Sequence, residues 1–210
     1  MEQFATEEQQ VEAIKRFWKE NGLAIVIGAI LGLGALWGWR YYDESQIQAK
    51  ESASESYQQL VTSLTAESGP EVFTEFLETN SGTTYSTLAS LIAAQTAVNE
   101  GALASAAETL VTAARDAQDP TLTDLVNLRL ARVYYGLEQY DDALSALANI
   151  ETTAFTATVA ATRGDVLVAK GDFAAATNAY QASLAAQADS NVQMRLDDVA
   201  RLAAQAATAG

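Results

Sequence analysis

Cysteine and histidine are both missing from the 210 residues, and proline occurs only at Pro70 and Pro120. Without cysteine there is neither a disulfide nor a thiolate nucleophile. Without histidine the Ser-His-Asp triad and the usual zinc and haem ligand sets are excluded. No glycine-rich phosphate cradle and no Asp-x-Asp-x-Asp-Gly calcium loop occurs either, so neither a metal nor a cofactor is expected. Positive charge is scarce, with 12 Lys+Arg against 27 Asp+Glu and a net charge of -15. Such a chain repels phosphate backbones, which argues against nucleic acid as a partner. Hydrophobic residues nevertheless make up 49% and charged residues only 19%, the balance of a folded protein rather than a disordered one. Few breakers and abundant alanine predict helix almost throughout, an all-α fold.

One long apolar run is present, Leu23 to Trp39, 17 residues without a charge. As a helix it covers about 26 Å, at the short end of what crosses a bilayer. Trp37, Trp39, Tyr41 and Tyr42 cluster at its C-terminal end, where interfacial aromatics sit, and Arg40 stands among them. A buried core helix would need a polar face somewhere, and a cleaved signal peptide would need a short basic leader and a small-x-small cleavage site. Here the leader carries Glu2, Glu7, Glu8, Glu12 and Glu20, and aromatic and charged residues follow the run. A retained transmembrane helix over 23–42 is therefore expected. Lys15, Arg16 and Lys19 before it outnumber Arg40 and the more distant Lys50 after it, which predicts a cytoplasmic segment 1–22 and an exported remainder. Ahead of the span, Thr6-Glu7-Glu8-Gln9 reads as a capping box. Val11, Ile14, Phe17 and Trp18 recur beyond it at helical spacing, as in a short helix that lies in the membrane interface or grips a membrane partner. Inside the span, Gly28-x-x-x-Gly32 and Gly34-x-x-x-Gly38 form two small-residue stripes of the kind that let another helix approach closely in lipid.

From Tyr41 onward there are 8 Lys+Arg against 22 Asp+Glu, a strongly acidic and soluble surface. Residues 43–69 read as a polar stalk helix that Gly69-Pro70 ends. Val72, Phe73, Phe76 and Leu77 mark a short amphipathic helix closed by Asn80-Ser81-Gly82. Self-similarity then sets in. Aligning Ala94, Ala131 and Gly164 also aligns Gly101, Glu138, Gly171; Leu103, Tyr140, Phe173; Ala106, Ala143, Ala176; and Leu110, Leu147, Tyr180. The extra residues of the first interval fall at Ala117-Gln118-Asp119-Pro120, a loop. Each unit reads as helix, turn, helix. The small residue permits close crossing, the turn residue takes a left-handed helix end, and the alanine and its large partner fill the space between paired helices.

This pattern resembles the tetratricopeptide repeat. The expected architecture is a single transmembrane helix followed by an α-solenoid domain over 70–210. Val192, Leu196, Val199 and Ala203 would mark a C-terminal capping helix. In a tetratricopeptide stack the first helix of each unit lines the concave face. The resemblance therefore places Leu91, Gln95 and Asn99, then Leu128, Arg132 and Tyr135, then Asp165 and Val168 in a partner-binding groove. Arg129 and Arg132 are expected as a buried pair, bridged to a neighbouring helix or meeting a partner's carboxylate. No catalytic constellation appears, since the carboxylates of Asp141-Asp142 and Asp197-Asp198 point in different directions on their helices.

Three stretches, VEAIKRFWKENGLAIVIGAILGLGALWGWRYYDESQ at 11–46, VNLRLARVYYGLEQYDDALSAL at 126–147 and ATRGDVLVAKGDFAAA at 161–176, are similar to the YfgM family of ancillary SecYEG translocon subunits. That resemblance implies one inner-membrane helix, a periplasmic tetratricopeptide-like domain, and a non-enzymatic role. The implied partners are SecYEG, a PpiD-like periplasmic chaperone and exported client proteins. A generic tetratricopeptide scaffold for division or cell-wall complexes is the second reading, and a membrane-tethered enzyme the third.

Overall fold

The computed structural model describes residues 7–63 and 69–209, and helix dominates them. Among the described residues nine α-helices follow one another: α1 (Glu7–Ser63), α2 (Gly69–Asn80), α3 (Thr84–Asn99), α4 (Leu103–Asp116), α5 (Pro120–Gly136), α6 (Tyr140–Ala148), α7 (Thr156–Ala169), α8 (Phe173–Ala186) and α9 (Ser190–Ala209). A 3-10 turn, Thr153–Phe155, precedes α7. The chain divides between Ala53 and Ser54 into two compact units.

The first unit is the N-terminal part of α1. Asn21 Nδ2 donates to the Phe17 carbonyl at 3.2 Å, and the helix runs through Gly22 into the apolar segment without a break. A lone glycine costs a helix only about 1 kcal/mol, which does not end one. The residues around Phe17 and Trp18 are thus in line with the span, not a separate helix turned along the interface. Thr6 of the expected capping box lies outside the described residues. The most apolar 18-residue window of α1 has a mean hydropathy of 1.9, and none of it is buried. Trp37 and Trp39 are each 74% exposed, and Trp37 stacks on Tyr41 with centroids 6.2 Å apart.

The second unit is a stack of helix hairpins whose register follows the sequence repeat. Leu103, Tyr140 and Phe173 are the first residues of α4, α6 and α8. Ala106, Ala143 and Ala176 are all 0% exposed, so each hairpin closes on a methyl group with no room to spare. Gly101, Glu138 and Gly171 have φ of +78°, +60° and +81°. At each, the following N–H reaches back to the helix: Ala102 to the Ala97 carbonyl at 2.8 Å, Gln139 to Tyr134 at 2.9 Å, Asp172 to Leu167 at 2.9 Å. That is a Schellman ending repeated three times.

Glu138 is the odd member, since its Cβ crowds the backbone in the left-handed region. Replacing it with glycine removes the crowding at an exposed site. Glu138→Gly is expected to stabilise the domain by about 1 kcal/mol and raise its melting temperature by about 2–4 °C. Melting at or below wild type would show that the turn carries no strain.

Among the described residues three clusters form the core. Leu60 at the end of α1 packs with Phe76 of α2 and Ala89 of α3, joined by Tyr57, Val72, Phe73, Leu77 and Tyr85. The distal turns of the helix expected as a polar stalk thus contribute apolar side chains to the repeat domain. The largest cluster joins α3 to α6 through Leu110, Val126, Leu130 and Leu147. The third gathers Ala176, Tyr180, Val192 and Val199, with Leu196 against them, so α9 packs on the last hairpin. The loop at Ala117–Pro120 forms where expected, and Asp119 caps α5 by accepting from the Leu122 N–H at 2.9 Å.

Candidate functional site

Two hollows open along the face built by α3, α5 and α7, the first helices of the three hairpins. One, of about 460 Å³, lies between α3 and α5 and reaches Tyr57. Leu88, Leu91, Ile92 and Leu125 line it, with Gln95, Arg129 and Arg132 supplying polar groups. The other, of about 490 Å³, lies between α5, α7 and the start of α9. Arg132, Tyr135, Thr158, Asp165, Asn191 and Arg195 are among its walls. Arg132 borders both.

The eight expected groove residues divide. Leu91 and Gln95 line the first hollow, Tyr135 and Asp165 the second, and Arg132 both. Asn99 is exposed outside both, its Oδ1 accepting from Gln95 Nε2 at 3.0 Å. Val168 packs against the core cluster of α8 and α9. Leu128 must be removed from the groove: it is 4% exposed and sits in the central cluster. A leucine has no polar end to keep wet and gains about 1.5–3 kcal/mol when buried.

The arginine pair also differs from expectation. Arg129 and Arg132 are both exposed, and neither takes part in an ion pair among the described residues. Partial burial of its guanidinium, then repulsion from Arg129, lowers the Arg132 pKa, which Asp165 partly offsets. The group stays charged all the same.

Asp165 lines the second hollow but is already occupied. Arg195 Nη1 donates to Oδ1 at 3.1 Å and to Oδ2 at 2.8 Å, and Tyr180 Oη donates to Oδ1 at 2.7 Å. Burial, reinforced by the hydrogen bond to Asp165, pushes the Tyr180 phenol well above its ordinary value, so it remains a donor. The carboxylate thus ties α7 to α8 and α9 and positions Arg195 at the hollow's edge. Arg195 was missed from sequence because it stands 30 residues from its partner with no local signal. The acidic doublets serve as helix-start and surface charges. Asp141 pairs with Lys170, Asp198 with Arg201, and Asp197 accepts from Gln193 Nε2 at 2.9 Å.

Stacked helix hairpins with hollows along their first helices define a class: a helical-repeat scaffold of the tetratricopeptide type, in a chain that also has a helix apolar enough to cross a membrane. A tetratricopeptide repeat-like domain model matches residues 15–201. Among solved structures the chain is similar in fold to the MamA RS-1 ArsTM double mutant, with a TM-score of 0.55, 12% identity, and coverage of 72% of this chain and 83% of that one. MamA 41-end from Desulfovibrio magneticus RS-1 aligns with a TM-score of 0.52 at 11% identity, over 75% and 96%. The ancillary SecYEG translocon subunit of Escherichia coli (strain K12) is 42% identical over 186 residues, 88% of this chain and 90% of its own. Its namesake in Haemophilus influenzae is 37% identical over 177 residues, 83% and 87%. The chain belongs to the family of ancillary SecYEG translocon subunits.

Proposed function

We propose that this chain is a non-enzymatic accessory of the SecYEG translocon. Segment 23–42 holds it in the inner membrane with 1–22 in the cytoplasm, and the stalk 43–69 and repeat domain 70–210 stand in the periplasm. There it binds a PpiD-like chaperone and assists exported client proteins. The observation that carries this reading is the wholly exposed apolar window of α1, next to the three arginine and lysine residues before it, in a member of this family. Membrane lipid covers that window. Gly28, Gly32, Gly34 and Gly38 are the face we assign to a membrane helix of a partner: a Cβ added at any of them meets nothing within 4 Å. The surface of Leu91, Gln95, Arg132, Tyr135 and Asp165 is assigned to the soluble partners, a mixed apolar and polar groove that suits a peptide or helix.

A reporter active only outside the cytoplasm is expected to work when fused after Gly210 and to fail at the N-terminus. Protease added to spheroplasts should remove the repeat domain, and full protection would reverse the orientation. Mild-detergent pull-down of the full chain is expected to recover SecYEG subunits and a membrane-anchored periplasmic chaperone. Recovery of division or cell-wall proteins in their place would move the chain to the scaffold reading.

A further inference from the structure

Among the described residues, four cations of the repeat domain are in ion pairs: Arg115 with Asp116, Lys170 with Asp141, Arg195 with Asp165 and Arg201 with Asp198. Arg129 and Arg132 are in none of these pairs, and both border the hollow between α3 and α5. Three residues apart on α5, they are neighbours on one helix face. The rest of that lining is mostly apolar, with Tyr57, Leu88, Leu91, Ile92 and Leu125 prominent, and it contains no Asp or Glu. An apolar floor thus meets two guanidinium groups that form no ion pair among the described residues, Arg132 feeling Asp165 only at longer range, in a chain whose net charge is -15.

We infer that this hollow binds an internal acidic-apolar segment of a partner polypeptide. A bulky aliphatic or aromatic side chain enters between α3 and α5, and a nearby Asp or Glu lies against Arg129 and Arg132. This deepens the accessory reading above and rests on it. Charge complementarity names the occupant. A basic segment is repelled, and a neutral apolar one leaves both guanidinium groups unanswered. A carboxylate gains charge-assisted, forked hydrogen bonds that apolar neighbours shield from water. The segment is internal because Arg132 also borders the hollow between α5, α7 and α9, so the binding surface continues on both sides of its guanidinium. A chain end would fill one side only.

The test uses the full-length protein in nanodiscs of zwitterionic lipid, so that neither detergent nor anionic lipid competes for the hollow. Three short fluorescein-labelled peptides serve as probes: a Leu-Phe centre flanked by Glu, the same centre flanked by Lys, and a Ser-Ser centre flanked by Glu. Fluorescence anisotropy is expected to show the first binding at least about tenfold more tightly than either other peptide, and weakening as salt is raised. The double variant Arg129→Glu with Arg132→Glu should lose the Glu peptide and gain the Lys peptide, with an unchanged circular dichroism spectrum and melting curve. Equal binding of the Glu and Lys peptides, or wild-type binding by the double variant, overturns the inference. So does concentration-dependent self-association abolished by the double variant, which would give the hollow to a second copy of this chain. Recovery of SecYEG by the same proteins separates the two levels. A double variant that keeps SecYEG but loses the peptide supports the site. A wild-type chain that recovers no SecYEG sinks the accessory reading whatever the peptides do.

Discussion

Gly164→Ala is expected to destabilise the repeat domain by about 2–3 kcal/mol, although alanine is the better helix former. An ideal Cβ at this position would lie 2.4 Å from Tyr180 Cε1, 2.6 Å from Cδ1 and 2.8 Å from Cζ. The ring has nowhere to go: Tyr180 is 2% exposed and its hydroxyl is held by Asp165 at 2.7 Å. Either the ring leaves its place, breaking the link from α8 to α7, or the two helices separate. Thermal unfolding of the full chain should show a melting temperature lower by about 4–12 °C. The partner in the clash can be checked directly. In a Tyr180→Leu background the same glycine substitution is expected to cost little, giving a coupling of about 2 kcal/mol in a double-mutant cycle. Additive single effects would mean the strain is taken up elsewhere.

Asp124→Ala is the second substitution with a large expected cost. Asp124 is 4% exposed in α5, and its two oxygens accept from backbone groups far along the chain: Glu151 N–H at 3.3 Å and Thr152 N–H at 2.8 Å. These bonds hold the link between α6 and α7, where one hairpin hands over to the next. Truncation leaves two backbone donors without their carboxylate, and about 2–3 kcal/mol should be lost. Asp124→Asn keeps one acceptor oxygen and is expected to lose about half as much. Faster amide hydrogen exchange at Glu151 and Thr152 would locate the damage. An alanine variant that melts within about 1 °C of wild type, with unchanged exchange there, would remove Asp124 from this role.

Both predictions concern residues whose importance was unequally visible beforehand. Gly164 could be read from the repeat, since a small residue recurs at Ala94 and Ala131 in the same register. Asp124 could not, because its partners lie 27 and 28 residues away and nothing near it in the chain sets it apart from a surface carboxylate. The groove shows the same division. The tetratricopeptide register placed Leu91, Gln95, Arg132, Tyr135 and Asp165 in a groove, and the structure sets each of them in the wall of a hollow. The register could not see that Leu128 is drawn into the core, nor that Asp165 already holds Arg195 and Tyr180.

Local signals by themselves determined the helical class, the apolar segment, the repeat register and the turn positions. A 17-residue uncharged run, alanines at fixed offsets and turn glycines act through short-range sterics and solvation that any neighbourhood would enforce. Glu138 entered the left-handed region because register imposed it on a residue that would not choose it. Only the tertiary structure decided which charges remain unpaired. Arg115 and Arg201 find acids on their own helices, and Lys170 and Arg195 find them on neighbouring ones. Arg129 and Arg132 border a hollow without one and form no ion pair among the described residues, although Arg132 also borders the hollow that holds Asp165. Whether a guanidinium is neutralised depends on what packing brings within about 4 Å of it, and that distance is set by how whole helices stack rather than by residues near it in the chain.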